Sequence, residues 1–118
     1  MRRVLGTLIL FGLSVVVWAG ETISEGWLAK GTKWETPFYA RISDKDGPTV
    51  VITGGIHGNE PAGARAAEQI RHWSITRGRL VVIPQANIPG LRDETRFLPG
   101  EPPSRRDLNR QFPKTKMA

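Results

Sequence analysis

The chain contains no cysteine. That excludes a disulfide framework and any thiolate metal site, so a bound metal ion would have to be held by His, Asp or Glu. Such donors suit a catalytic centre better than a structural one, because structural sites are usually cysteine-rich. Histidine is nearly as scarce, with only His57 and His72 present. No internal repeat or low-complexity tract is visible. Long hydrophobic runs are missing too: Val4 to Trp18 spans about 15 residues, short of the ~20 a membrane-spanning helix needs, and no second apolar segment extends it. The net charge is +6, yet no basic tract is interleaved with aromatic residues, which argues against a nucleic-acid platform. At 118 residues the chain is one domain at most.

What is present begins with an export-like N-terminus. Arg2 and Arg3 form a positive n-region ahead of the apolar run, and Val17 and Ala19 occupy the small-residue positions before a cleavage site. The expectation is a signal peptide over residues 1–19, cut after Ala19, with an uncleaved anchor over residues 4–18 as the alternative. Either way the remainder is expected outside a membrane, periplasmic or extracellular, with membrane contact only through this segment. A second basic group runs from Arg92 to Lys116. It reads either as a solvated loop or as a positive wall for a small anionic substrate.

Glu21 to Lys33 is polar, with Trp27 and Leu28 as apolar anchors and a turn suggested by Gly26, Gly31 and Thr32. Trp34 to Ser43 alternates Phe38, Ala40 and Ile42 against Tyr39 and Arg41, as a half-exposed strand does, and Pro37 near its start suggests a sheet edge. Residues 44–48 make a turn by composition. Thr49 to Thr53 (TVVIT) is a continuous β-branched run, suited to a central strand buried on both faces. Pro61 to Trp73 reads as a helix that opens on proline at its first position and carries Ala62, Ala66, Ala67, Ile70 and Trp73 as its apolar stripe. Arg79 to Pro84 (RLVVIP) is a second buried strand. Strand, helix and strand in this order predict an α/β fold with a central parallel βαβ unit. From Gln85 onward prolines and glycines predict a long ordered loop with one short helical turn.

Ligands in open α/β sheets bind beyond the carboxyl ends of the strands. His57 and Glu60 follow the first parallel strand and Asn87 follows the second, so one rim gathers them. In GGIHGNEP the imidazole and carboxylate lie three residues apart, bracketed by Gly55 and Gly58, whose backbone tolerates unusual φ and close approach. Together they make a half-site for a divalent metal. The alternatives are a structural histidine and a carboxylate placed by the helix macrodipole. Further on, Asp107-Leu108-Asn109-Arg110 offers a guanidinium fork and an amide for a substrate carboxylate, or a capped loop with a solvated arginine. Arg96, Arg105 and Arg106 are similarly ambiguous.

Read in order, GGIHGNEPAG, LVVIPQAN, TRF and DLNRQFP resemble the succinylglutamate desuccinylase/aspartoacylase family, a branch of the zinc carboxypeptidase-like hydrolases. The resemblance covers roughly Gly47 to Pro113. It implies a zinc-carboxypeptidase-like mixed sheet, here only part of one, and a single Zn2+. His57 and Glu60 resemble the first two zinc ligands, and Asn109 and Arg110 the pair that binds the substrate carboxylate. Arg96 resembles the arginine that helps polarise the scissile carbonyl, with Arg105 or Arg106 as candidates for the same place. Asp107 resembles support for the neighbouring loop. Family members also supply a third zinc ligand, a histidine, and a glutamate general base, both well past the DLNR motif. Neither is seen before Ala118, and His72 lies in the predicted helix about four turns from the rim, facing solvent.

The expectation is therefore the N-terminal part of an exported zinc-dependent hydrolase, truncated and inactive alone. Its substrate would be a small anionic one, an N-acyl amino acid or a short peptide with a free carboxylate. The alternatives are a non-catalytic carboxylate-binding remnant using Arg96, Asn109 and Arg110, and a gene fragment.

Overall fold

The computed structural model describes the backbone of residues 8–10 and 13–18 and all of residues 20–113. A mixed sheet runs through it. Its strands are β1 (Leu8–Leu10), β2 (Leu13–Trp18), β3 (Glu21–Leu28), β4 (Thr36–Ser43), β5 (Thr49–Thr53) and β6 (Arg79–Ile83), in the spatial order β1-β2-β3-β4-β6-β5. The expected export segment lies partly outside the described residues, and β1 and β2 are the parts of it that are described. Among the described residues no helix is long and apolar enough to cross a membrane.

The predicted βαβ unit is present. β5 pairs in parallel with β6, placing Ile52 beside Val82, and α1 (Pro61–Ile70) connects them with proline in its first turn. Ala67 and Val82 are each 1% exposed and form a small core with Leu80, flanked by Ile52, Ile70 and Ile75. Full burial of a valine such as Val82 is worth roughly 1.5–3 kcal/mol.

Three expectations about the strands and α1 are corrected. β4 is not at an edge: it pairs antiparallel with β3 on one side and β6 on the other. Pro37 is tolerated because the β6 pairing begins at Tyr39, beyond the residue that lacks an N–H. Its Tyr39–Arg41 face is covered as well. Arg41 pairs with Glu21 at 2.9 Å and donates to the Arg71 carbonyl, while the Arg71 guanidinium lies 4.0 Å from the Tyr39 ring centre. Second, β5 is the outer strand rather than a central one, and Val50 and Val51 are 48% and 59% exposed. Its β-branched composition is suited to cover on both faces, but among the described residues it pairs with β6 alone, with α1 packed against it.

Third, the inward stripe of α1 is Ala64 and Ala67 with Ile70 partly buried, whereas Ala62, Ala66 and Trp73 are exposed. The stripe is turned because the helix start lies directly on the strand end. A Cβ at Gly54 would sit 2.6 Å from the Gly63 carbonyl oxygen and 2.8 Å from the Ala67 methyl. Small side chains at this crossing, rather than the bulk of Trp73, decide which face turns inward.

Beyond β6 the chain makes a short helix, α2 (Ile88–Arg92), and one 3-10 turn at Leu108–Arg110. The expected loop thus holds two short helical pieces instead of one.

Candidate functional site

The site is built where β5 and β6 run out. Hydrogen bonding continues past both strand ends: Gly54 donates to Ile83, Ala86 to Gly54 and Asn87 to Gly55, at 2.8, 2.9 and 3.0 Å. The two loops are thereby tied before either turns away from the sheet. Gly55 turns at φ +64°, in the left-handed region that glycine enters without penalty. Gly58 serves a different need. A Cβ there would lie 2.0 Å from the Gly90 carbonyl carbon, so the His57 loop and α2 meet backbone to backbone.

Asn87, fully buried, holds this junction from within. Its side-chain oxygen accepts from Gly90 N–H at 2.9 Å, capping α2, and its amide donates to the Ile56 carbonyl at 3.3 Å. The rim position expected for Asn87 is observed, but its polar atoms are spent on the backbone beside His57.

The His57 side chain is 11% exposed, and its two nitrogens face two carboxylates. Nε2 lies 3.2 Å from Asp107 Oδ1, and Nδ1 lies 3.6 Å from Glu60 Oε1. A carboxylate thus stands beside each ring nitrogen, with Asp107 nearer than Glu60. Asp107 Oδ1 also accepts from Asn109 N–H at 3.0 Å, so one carboxylate fixes both the imidazole and the 3-10 turn. Desolvation pushes the Asp107 pKa up. The hydrogen bonds from His57 and the Asn109 backbone, with the charges of His57 and Arg110, outweigh it and hold the carboxyl below its ordinary value.

Glu60 stands at the N-cap of α1 but makes no capping bond with its side chain. Instead Oε1 accepts from the Arg96 guanidinium at 2.5 Å, and both side chains are about half exposed. Arg96 therefore joins His57 and Glu60. Arg105 and Arg106 do not: Arg105 reaches Glu101 at 3.7 Å, and Arg106 lies over the Phe97 ring, 4.6 Å from its centre. Asn109 and Arg110 occupy the exposed tip of the 3-10 turn. His72 lies away from the cluster, its side chain 60% exposed and 3.8 Å from Glu68.

One imidazole nitrogen and one carboxylate oxygen, converging with the other ring nitrogen already anchored, are the donor chemistry of two zinc ligands. Among the described residues no group of three or more His, Cys, Asp or Glu side chains is disposed to hold a metal ion. The residues fit half of such a centre.

The family resemblance implied Asp107 as support for the neighbouring loop; the structure shows it accepting from Asn109 N–H within its own turn and facing His57. Sequence reasoning missed the contact with His57. No local pattern signals a pairing across 50 residues. The Glu60–Arg96 pair, across 36 residues, was equally invisible.

Fold and site together define an α/β protein with a histidine–carboxylate–arginine cluster at the carboxyl ends of a parallel strand pair. The model of the succinylglutamate desuccinylase/aspartoacylase catalytic domain matches residues 46–118, and the chain belongs to that family. Solved structures agree. An aspartoacylase family protein from Mesorhizobium loti is 26% identical with a TM-score of 0.61, the match covering 86% of this chain and 34% of that one. A succinylglutamate desuccinylase/aspartoacylase from Rhodobacter sphaeroides is 27% identical with a TM-score of 0.58, covering 91% and 32%. The ectoine utilization protein EutE from Ruegeria pomeroyi, solved with product bound, is 25% identical with a TM-score of 0.60, covering 91% and 35%. The chain thus spans about a third of the length of these relatives. No curated protein matches it.

Proposed function

We propose that this chain contributes the first half of a zinc-dependent hydrolase site that cleaves the amide bond of an N-acyl amino acid or a short peptide bearing a free carboxylate. Family membership supports a hydrolase of the desuccinylase/aspartoacylase kind. The observation that carries the zinc reading is the convergence of His57 Nδ1 and Glu60 Oε1, with Nε2 of the same ring anchored on Asp107.

In this reading His57 and Glu60 are two of the zinc ligands. Bound there, zinc supplies Lewis acidity to an amide carbonyl and to water. Asp107 keeps the His57 proton on Nε2, so that Nδ1 stays a donor. Asn109 and Arg110 present an amide and a guanidinium fork to the substrate carboxylate, fixing the register of the scissile bond. Arg96 places positive charge beside Glu60, where it meets negative charge developing on the carbonyl oxygen. No described residue is assigned as the third ligand or as the base that removes a proton from water. We further propose export, on the strength of Arg2, Arg3 and the apolar run that follows them.

Calorimetry on the full 118-residue chain tests the half-site. Zinc is expected to bind weakly, to be lost on gel filtration, and to show no heat with His57→Ala. Turnover of N-acyl amino acids is expected to be negligible. Stoichiometric zinc that survives gel filtration, with metal-dependent turnover, would overturn the half-site reading. N-acetyl amino acids are expected to bind through Arg110, and unchanged affinity in Arg110→Ala removes that residue from the site. Carboxylate binding in a chain that shows no zinc response at all would favour a non-catalytic binding module.

A further inference from the structure

A cavity of about 450 Å³ opens between the residues just before β4 and the loop that follows α2. That volume suits a small organic molecule. Pro89, Leu98 and Leu108 make apolar walls, Trp34 and Glu101 supply an aromatic ring and a carboxylate, and Arg105 and Gln111 add a guanidinium and an amide. Neither Asn109 nor Arg110 lines it.

The Glu101 side chain is only 17% exposed, and its two cationic neighbours hold it loosely. Lys33 Nζ is 3.5 Å from one oxygen and Arg105 is 3.7 Å from the other, both longer than a charge-assisted hydrogen bond. These partners are themselves 63% and 70% exposed. Long solvated side chains held at such distances contribute little and exchange readily with water. The Trp34 ring, meanwhile, already faces a cation: Lys33 Nζ stands 4.2 Å from its centre. One tethered ammonium thus stands between the ring face and the carboxylate.

We propose that this cavity is a binding site for a small organic cation with an apolar body, its charge seated between the Trp34 ring and the Glu101 carboxylate in place of the Lys33 ammonium. The apolar body rests on Pro89, Leu98 and Leu108. The lining of the site includes none of His57, Glu60, Arg96, Asn109 or Arg110 and does not depend on their assignment.

Benzyltrimethylammonium is the probe, titrated into the full chain by calorimetry, with benzyl alcohol as the neutral control. The cation is expected to bind and the alcohol to bind at least about tenfold more weakly, the scale of a desolvated cation–π contact with an opposed carboxylate. Glu101→Gln and Trp34→Ala are each expected to weaken the cation about tenfold. Lys33→Ala is expected to tighten it about threefold by removing the internal competitor, a gain that misfolding does not produce. N-acetyl amino acids are expected not to compete. Equal affinity for the alcohol, full affinity in Glu101→Gln, or unchanged or weaker binding in Lys33→Ala would each overturn the proposal. So would the absence of any saturable binding of the cation.

Discussion

Two arginine–carboxylate pairs in this molecule have the same chemistry and opposite settings. Arg41 and Glu21 lie 2.9 Å apart with side chains 13% and 12% exposed. Their remaining groups are used: Arg41 Nε donates to the Arg71 carbonyl at 3.0 Å, and Glu21 Oε1 accepts from Ile75 N–H at 3.1 Å. That pair bolts β3 and β4 to the chain leaving α1, and nothing about it can change partner without leaving a buried charge unpaired. Arg96 and Glu60 are 46% and 58% exposed, and the Glu60 oxygen that meets Arg96 also faces His57 Nδ1 at 3.6 Å. Water compensates either partner when this pair opens, so Glu60 is free to turn to another ligand. The buried pair is framework and the exposed one is exchangeable, which is what the proposed metal role of Glu60 requires.

The comparison can be broken at several points. The largest effect is expected for Arg41→Ala, which strands the Glu21 carboxylate. Chemical denaturation should show a loss of about 3–5 kcal/mol. A loss below about 1 kcal/mol would mean that the buried pair is no more structural than the exposed one. Gly58→Ala comes next. The loop carrying His57 and Glu60 is held by backbone packing on Gly90, and an added methyl should cost about 1–3 kcal/mol and displace His57. Its signature is a fall in zinc response together with stability. Glu60→Gln should leave stability within about 1 kcal/mol of the parent while abolishing the zinc response, since charge rather than packing is removed. The smallest change is expected for Arg96→Ala: stability again moves by less than about 1 kcal/mol, and zinc binding holds or strengthens as Glu60 loses its competitor. Weaker zinc binding in that variant would show that Arg96 orients Glu60 rather than competing for it.

Much of the scaffold was legible in advance because it is local. TVVIT and RLVVI carry the β-branched content of strands, Pro61 marks the first turn of α1, and the strand–helix–strand order calls for a parallel pair. The glycines around His57 were also readable, one for its positive φ and one for close approach. Position within the sheet was not. The same β-branched run that suits a central strand forms the outer strand here, and the half-polar β4 lies inside, because its polar face is covered by Arg71 and neutralised by Glu21. Alternation reports how a strand divides its faces, and it carries no information on which neighbours fill them.

The amino-acid sequence by itself determined the chemistry at hand: no thiolates, one histidine beside a carboxylate on a glycine-bracketed loop, and a later tip carrying Asn109 and Arg110. Tertiary structure alone decided how those groups meet. It brought Asp107 to the far side of the His57 ring from Glu60, so that each ring nitrogen faces a carboxylate. It selected Arg96 over Arg105 and Arg106 as the partner of Glu60, and it turned Asn87 into a brace for the loops. The reason is one of range. Turn, strand and helix preferences act over a few residues, whereas these contacts join segments 36 and 50 residues apart, beyond the tied ends of β5 and β6.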